Sequence, residues 1–223
     1  MPKGYFVTGT GTGVGKTLVS CALLYAFAAC GKSTVGMKPI AAGVESGKWM
    51  DVELLAAAST VTASRELINP YALFPAIAPH IAAKQSGIQI DILAIRRACL
   101  ELQKIADVVI VEGTGGFLVP VNEHQDSGHM AQALGMPVIL VAGMQLGCIN
   151  HALLTAQAVR AVGLPLAGWV ANRTEPHMAA FDENVLALKQ RLGCPLLGVL
   201  PFEHKADAKE LSALLDFADL RAG

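Results

Sequence analysis

The segment Gly9-Thr10-Gly11-Thr12-Gly13-Val14-Gly15-Lys16-Thr17 constrains this chain more than any other. It follows the apolar run Tyr5-Phe6-Val7 and leads into a long apolar stretch, Leu18 to Cys30. That order reads as a strand, a glycine-rich turn and a helix. Glycines admit positive φ and let backbone N–H groups approach an anion closely. A helix beginning near Lys16 adds the positive end of its dipole. The backbone of Gly13, Val14, Gly15, Lys16 and Thr17 is then placed to cradle phosphates. Lys16 reaches the β- and γ-phosphates, and the Thr17 hydroxyl is suited to Mg²⁺. The strict form G-x-x-x-x-G-K-[ST] would place glycine at position 10, where Thr10 stands, and Gly9 lies one residue further out. The loop is thus one residue longer than the strict form. Its strand–loop–helix context still reads as a phosphate loop, and the chain is expected to bind a nucleoside triphosphate.

The 223 residues suffice for one large α/β domain or two small ones, and 53% hydrophobic against 16% charged residues supply a substantial core. A net charge of −1 argues against a phosphate-driven nucleic-acid surface, which needs a basic excess. The cysteines, Cys21, Cys30, Cys99, Cys148 and Cys194, form no C-x-x-C and no metal spacing. They suggest reduced thiols, with Cys21 and Cys30 packing as small hydrophobes. Leu18 to Cys30 is too short to span a bilayer, which needs about 20 apolar residues. No charged-then-apolar leader precedes the first strand. The expectation is a cytoplasmic protein with neither membrane nor nucleic-acid partners.

Short Val/Ile/Leu-rich runs recur at Gly4–Thr8, Thr34–Lys38, Val108–Val111, Val138–Ala142, Ala167–Ala171 and Leu196–Leu200. They suit strands covered on both faces. Helical stretches lie between them: Lys16–Cys30, Asp51–Ala58, Ile90–Ile105, Gly128–Leu134, Ile149–Val162 and Met178–Leu192. Strand–helix alternation predicts a doubly wound, mostly parallel α/β sheet flanked by helices, as one domain over 1–223. Asn69 to Gly87, with its prolines, reads as an irregular excursion. Ala206 to Gly223 reads as a packing helix through Leu211, Leu214 and Leu215.

In such a sheet the site forms beyond the carboxyl ends of the strands. Lys38 stands at one such end, pointing at the phosphates, and Pro39 ends the pairing. Ala41-Ala42-Gly43 reads as a small-residue turn that lets a substrate approach the backbone. Asp107 to Val111 runs into Glu112-Gly113-Thr114-Gly115-Gly116, resembling a Walker B element with Glu in place of Asp. Glu112 there can hold Mg²⁺. Asp51 before Val52-Glu53-Leu54-Leu55 reads first as a helix N-cap, a role compatible with metal ligation. Gly147 to Asn150 reads as a second helix N-terminus, suited to a carboxylate. Asn172, at another strand end, can read a base edge. The six histidines show no ligand spacing.

Tyr5-Phe6-Val7-Thr8-Gly9-Thr10, Val14-Gly15-Lys16-Thr17, Lys38-Pro39, Val111-Glu112-Gly113, Leu146 to Ala152 with Leu154-Thr155-Ala156-Gln157, and Ala167 to Asn172 together resemble dethiobiotin synthetase. The likeness runs from Tyr5 to about Pro201 and includes the longer loop. It implies a ligase that carboxylates 7,8-diaminopelargonic acid with CO₂ and closes a ureido ring. ATP would be co-substrate, Mg²⁺ the cofactor, and a carbamic–phosphoric mixed anhydride the intermediate, in biotin synthesis. By the same resemblance, Lys16 and Lys38 are catalytic, and Thr17, Asp51 and Glu112 surround Mg²⁺. The nucleotide would lie on Gly13 to Thr17 and on Glu112, Gly113, Thr114 and Gly115. Asn172, Pro201, Phe202 and Glu203 would hold adenine. Ala42, Gly147, Cys148, Ile149 and Asn150 would meet the substrate, the last four from the partner subunit of a homodimer. Gly13 and Ala42 depart from the family, where some members carry glutamate and serine, so positioning here is expected to rely more on backbone. A partition or cell-division ATPase of the same broad fold would carry a signature lysine where Gly11 stands.

Overall fold

The computed structural model describes residues 3–221. Met1, Pro2, Ala222 and Gly223, the ends of the expected domain and of the C-terminal stretch, lie outside the described residues. Strand β1 (Gly4–Gly9) is central. Helix α1 (Lys16–Ala29) follows it, then β2 (Thr34–Met37), β3 (Ile40–Ala42), α2 (Met50–Ala58), α3 (Arg65–Ile68), β4 (Tyr71–Leu73) and α4 (Pro79–Gln85). The chain continues through α5 (Ile92–Ile105), β5 (Val108–Glu112), α6 (Ser127–Leu134), β6 (Val138–Met144) and α7 (Cys148–Ala161). It ends with β7 (Leu166–Arg173), α8 (Phe181–Arg191), β8 (Leu196–Leu200), α9 (Ala208–Leu211), a 3₁₀ turn and α10 (Ala218–Arg221).

Six strands form one parallel sheet in the order β2-β5-β1-β6-β7-β8. The chain leaves β1 toward one edge and later crosses from β5 to β6 on the other side of β1. The winding direction therefore reverses at β1, where ligand crevices form in such sheets. The loop that opens the sequence issues from that strand.

Period-2 alternation divides the core between the two faces. Tyr5, Val7, Val108 and Ile110 pack with α1, α9 and the C-terminal segment. Phe6, Val109 and Val111 pack on the opposite side with α5 and β3. A third cluster joins β6, β7, α7 and α8 around the fully buried Trp169.

Several expectations need correction. Asn69 to Gly87 is ordered: β4 pairs in parallel with β3 as a separate two-stranded sheet, and α4 starts with Pro79 in its first turn. Ala41-Ala42 is thus strand rather than turn, although Gly43 does turn at φ +91°. Three-residue strands carry too little alternation to register in sequence. The C-terminal stretch is not one helix, and Leu214 is exposed, while Leu211, Leu215, Phe217 and Leu220 are buried. Tyr5 Oη donates to the Leu220 carbonyl at 2.9 Å, and Phe27 lies between the rings of Tyr5 and Phe217 at 5.8 and 5.1 Å. Cys21 is buried and burial pushes its thiol up to about 12, as a packing role requires, whereas Cys30 is the exposed C-cap of α1.

Close strand packing fixes some glycines. A Cβ on Gly4 would stand 2.2 Å from the Val109 carbonyl oxygen, a backbone atom that cannot swing away. Gly4→Ala should lower stability by about 1–3 kcal/mol, the range for overpacking. Urea unfolding measures it, and an unchanged midpoint would refute this account of the β1–β5 contact.

Candidate active site

The loop leaves β1 at Gly9 and is tied back at once. Thr10 N–H donates to the Val141 carbonyl at 3.1 Å, and Thr10 Oγ1 accepts from Gly143 N–H at 3.2 Å. The residue that breaks the shorter motif thus continues the β1–β6 ladder. Gly13 and Gly15 adopt φ +74° and +90°, and Gly15 is the left-handed N-cap from which Lys16 begins α1. Lys16 is buried, and its ammonium donates to the Gly11 carbonyl at 2.7 Å.

Four elements converge behind the loop. Lys38 follows β2, Glu112 ends β5, Thr17 is on α1 and Asp51 is on α2. Lys38 Nζ lies 2.5 Å from Glu112 Oε1 and 2.9 Å from Asp51 Oδ2, and donates to the Gly113 carbonyl at 3.3 Å. The Thr17 hydroxyl, with one proton to give, stands 3.1 Å from Asp51 Oδ1 and 3.0 Å from Glu112 Oε1. Lys38 is 3% exposed and Glu112 1%. Glu112 Oε2 is buried with no partner among the described residues. An orphaned carboxylate oxygen at that depth costs free energy unless a cation or donor meets it.

Burial draws Lys38 toward the neutral form, but Glu112 and then Asp51 outweigh it, so its pKa is raised. Burial raises Asp51, yet Lys38, Thr17 and Lys16 more than reverse that, leaving it lowered. Glu112 is raised by burial, with Asp51 adding and Lys38 opposing. Lys16 is lowered to about 8 by burial and then by Lys38.

A cavity of about 690 Å³ opens over these groups. It is lined by Gly13, Gly15, Lys16, Thr17, Lys38, Asp51, Glu112, Thr114 and Gly115, and by Ala42. The structure therefore gathers Lys16, Lys38, Thr17, Asp51 and Glu112 with most of the expected loop residues around one cavity. Asp51 is not the N-cap: Trp49 is, and Asp51 lies in the first turn with its carboxylate aimed at Lys38 and Thr17. Thr114 Oγ1 donates to the Ile40 carbonyl at 2.5 Å, joining the segment after β5 to the small sheet. Ala76, Ile77, Ala78, Pro79 and Val119 also line the cavity. Apolar side chains in an apparently irregular stretch carried no signal for them in sequence.

Other expected residues lie apart. Gly147, at φ +90°, caps α7, and Gly147 to Asn150 do not line this cavity. Val14, Gly113, Asn172 and Pro201 to Glu203 do not line it either. Asn172 Nδ2 donates to the Val14 carbonyl at 2.9 Å, and its register partner on β8 is Leu200, so Pro201 to Glu203 leave the sheet beside it. A second cavity, about 620 Å³, is lined by His80, Ala83 and Lys84 of α4 and by His124, and contains none of the loop.

A parallel sheet with its phosphate loop at the switch strand, backed by a buried Lys38–Glu112 pair with the partly exposed Asp51 and Thr17 on it, defines a P-loop nucleotide-binding protein. Two solved structures share the fold. The cell-division ATPase MinD from Pyrococcus furiosus superposes with a TM-score of 0.60 at 16% identity, over 100% of this chain and 99% of that one. The cell-division protein FtsY from Thermotoga maritima does so with 0.55 at 16%, over 96% and 68%. At that identity the likeness concerns fold alone. The sequence model of a family described as "AAA domain" matches residues 3–210. The ATP-dependent dethiobiotin synthetase BioD of Nitrosospira multiformis is 69% identical over 98% of this chain and 96% of its own. That of Aromatoleum aromaticum is 50% identical over 96% and 97%. The chain belongs to the dethiobiotin synthetase family.

Lys38→Met strands the Glu112 carboxylate and should lower stability by about 3–5 kcal/mol, as for other broken buried pairs. Lys38→Met with Glu112→Gln should recover most of that loss. Additive losses in urea unfolding would show that the two side chains are uncoupled. Lys16, at about 8 in the free protein, binds an anion best when protonated. Triphosphate affinity should hold up to about pH 7 and fall roughly tenfold between pH 7 and 9. Calorimetry that finds no such step, or finds the same step in Lys16→Met, would exclude Lys16 as its source.

Proposed function

We propose that the chain catalyses ATP-dependent synthesis of dethiobiotin from 7,8-diaminopelargonic acid and CO₂. The observation that carries this reading is Lys38, a buried ammonium at the rim of the phosphate loop, held by two carboxylates and facing the same cavity as Lys16. One substrate amine takes up CO₂ to form a carbamate. The carbamate oxygen attacks the γ-phosphorus and displaces ADP, giving a carbamic–phosphoric mixed anhydride; the other amine attacks its carbonyl carbon, loses a proton and expels phosphate as the ring closes. Both reactants of the phosphoryl step are anionic, so the chief task is to neutralise and align them. Lys16 holds the β- and γ-phosphates, and Lys38 screens carbamate from phosphoryl oxygens. The loop N–H groups fix the phosphate chain.

Thr17, Asp51 and Glu112 are the residues that would hold Mg²⁺. The orphaned Glu112 Oε2 fits this assignment, as does an all-oxygen donor set suited to a hard cation. When bound, the ion supplies charge neutralisation at the phosphates. Asn172 with Pro201, Phe202 and Glu203 takes the base. Its Nδ2 is given to the Val14 carbonyl, which leaves Oδ1 as the atom to accept from an exocyclic amine. The partner subunit of a homodimer contributes Gly147 to Asn150 around the substrate carboxylate. Supporting this, α7 begins away from the chain's own cavity, and Leu146 before it is 96% exposed. Ala42 contacts the substrate through its backbone. The reaction is placed in the cytoplasm. No helix among the described residues is long and apolar enough to cross a membrane.

Protein, MgATP and bicarbonate are assayed with and without the diamine for phosphate and ring product. Phosphate release should depend on the diamine, and Lys16→Ala should lose at least about 10²–10³-fold in turnover. Release indifferent to the diamine would overturn the synthetase reading.

A further inference from the structure

Val14, two residues before Lys16, is the most firmly anchored point of the loop. Its side chain is buried. A Cβ on Gly9 would stand 2.6 Å from Val14 Cγ2, and one on Gly143 would stand 2.7 Å from Cγ1. The ends of β1 and β6 thus form a socket that admits the isopropyl group only because both residues lack side chains. The Val14 carbonyl is held from the other side by Asn172 Nδ2 at 2.9 Å. Gly143 and Asn172 are register partners across β6 and β7, so socket and hydrogen bond form one cross-strand unit. At the next residue, Gly15, a Cβ would lie 2.2 Å from Asn172 Nδ2. The amide therefore packs directly on the loop backbone where it turns into α1.

A loop with glycine at 11, 13 and 15 has much backbone freedom to lose and few side chains to restrain it. Its shape must come from anchors outside it. Thr10 is anchored to β6 at one end, and α1 begins at the other. Between them the Val14 anchor is what orients the segment carrying Gly15 and Lys16.

We propose that Asn172 is a positioning residue for phosphoryl transfer: its bond to the Val14 carbonyl, together with the Gly9–Gly143 socket, latches the phosphate loop in its binding shape. The inference rests on the loop holding a triphosphate, as proposed above, but goes beyond base recognition. A residue that only reads a base matters only when a base is present. The latch acts on the loop with or without one, and a loop displaced by about 1 Å loses about 10²-fold in rate.

The test compares Asn172→Ala, Asn172→Asp, which keeps the shape but not the N–H donor, and Gly143→Ala, which intrudes on the socket from β6. Phe202→Ala, on the base side, is the control. Three quantities are read: hydrogen exchange of the amides from Gly11 to Thr17 without nucleotide, affinity for magnesium tripolyphosphate, and the separate kcat and KM for ATP. Both Asn172 variants and Gly143→Ala should speed exchange of the loop amides roughly tenfold, in line with the loss of one hydrogen bond. They should weaken tripolyphosphate by a similar factor and lower kcat at saturating ATP. Phe202→Ala should raise KM for ATP without changing loop exchange. Unchanged exchange and unchanged kcat in folded Asn172 variants would overturn the latch while leaving the triphosphate reading intact. A wild-type protein that binds neither ATP nor tripolyphosphate would sink both.

Discussion

The Lys38–Glu112 contact is the interaction on which the site depends. It joins the end of β2 to the end of β5 at 2.5 Å, under a surface that leaves both side chains almost fully buried. Neither charge is tolerable there alone. Asp51 adds a second carboxylate from α2, and Thr17 bridges both carboxylates from α1. One ion pair thereby ties two strands and two helices into a single polar knot inside an otherwise apolar fold.

That knot lies behind a loop with little structure of its own. The strand order puts β1 between β5 and β6, so the loop leaving β1 is walled on one side by Glu112 and on the other by Gly143. The loop, the Glu112 carboxylate and the ammonium groups of Lys16 and Lys38 come together at the carboxyl ends of the strands, where the winding reverses. The same end of the sheet brings Asn172 to the loop through the β6–β7 register.

Much of this was legible beforehand. Apolar runs bounded by Gly, Pro or Asp read as parallel strands because burial on both faces removes alternation. Gly15-Lys16-Thr17 after such a run reads as a phosphate site for the same local reason. The resemblance to dethiobiotin synthetase then supplied chemistry that spacing could not. Less legible were β3, β4 and α4, whose shortness leaves no periodicity. Asp51 misled as a cap because an acidic residue in a first turn favours the helix dipole wherever its side chain points. Leu214 is exposed despite its helical spacing from Leu211 because the chain breaks into a 3₁₀ turn at Ser212–Leu214.

By itself the sequence determined the doubly wound α/β class, the phosphate loop and the residue types able to serve it. These follow from local hydrophobic pattern and backbone freedom, which are properties of neighbours in the chain. Tertiary structure alone decided that Lys38, Asp51, Glu112 and Thr17 meet, that α4 walls the cavity and that Asn172 grips Val14. Those pairings join residues far apart in sequence, and only strand order and register bring them within hydrogen-bond reach.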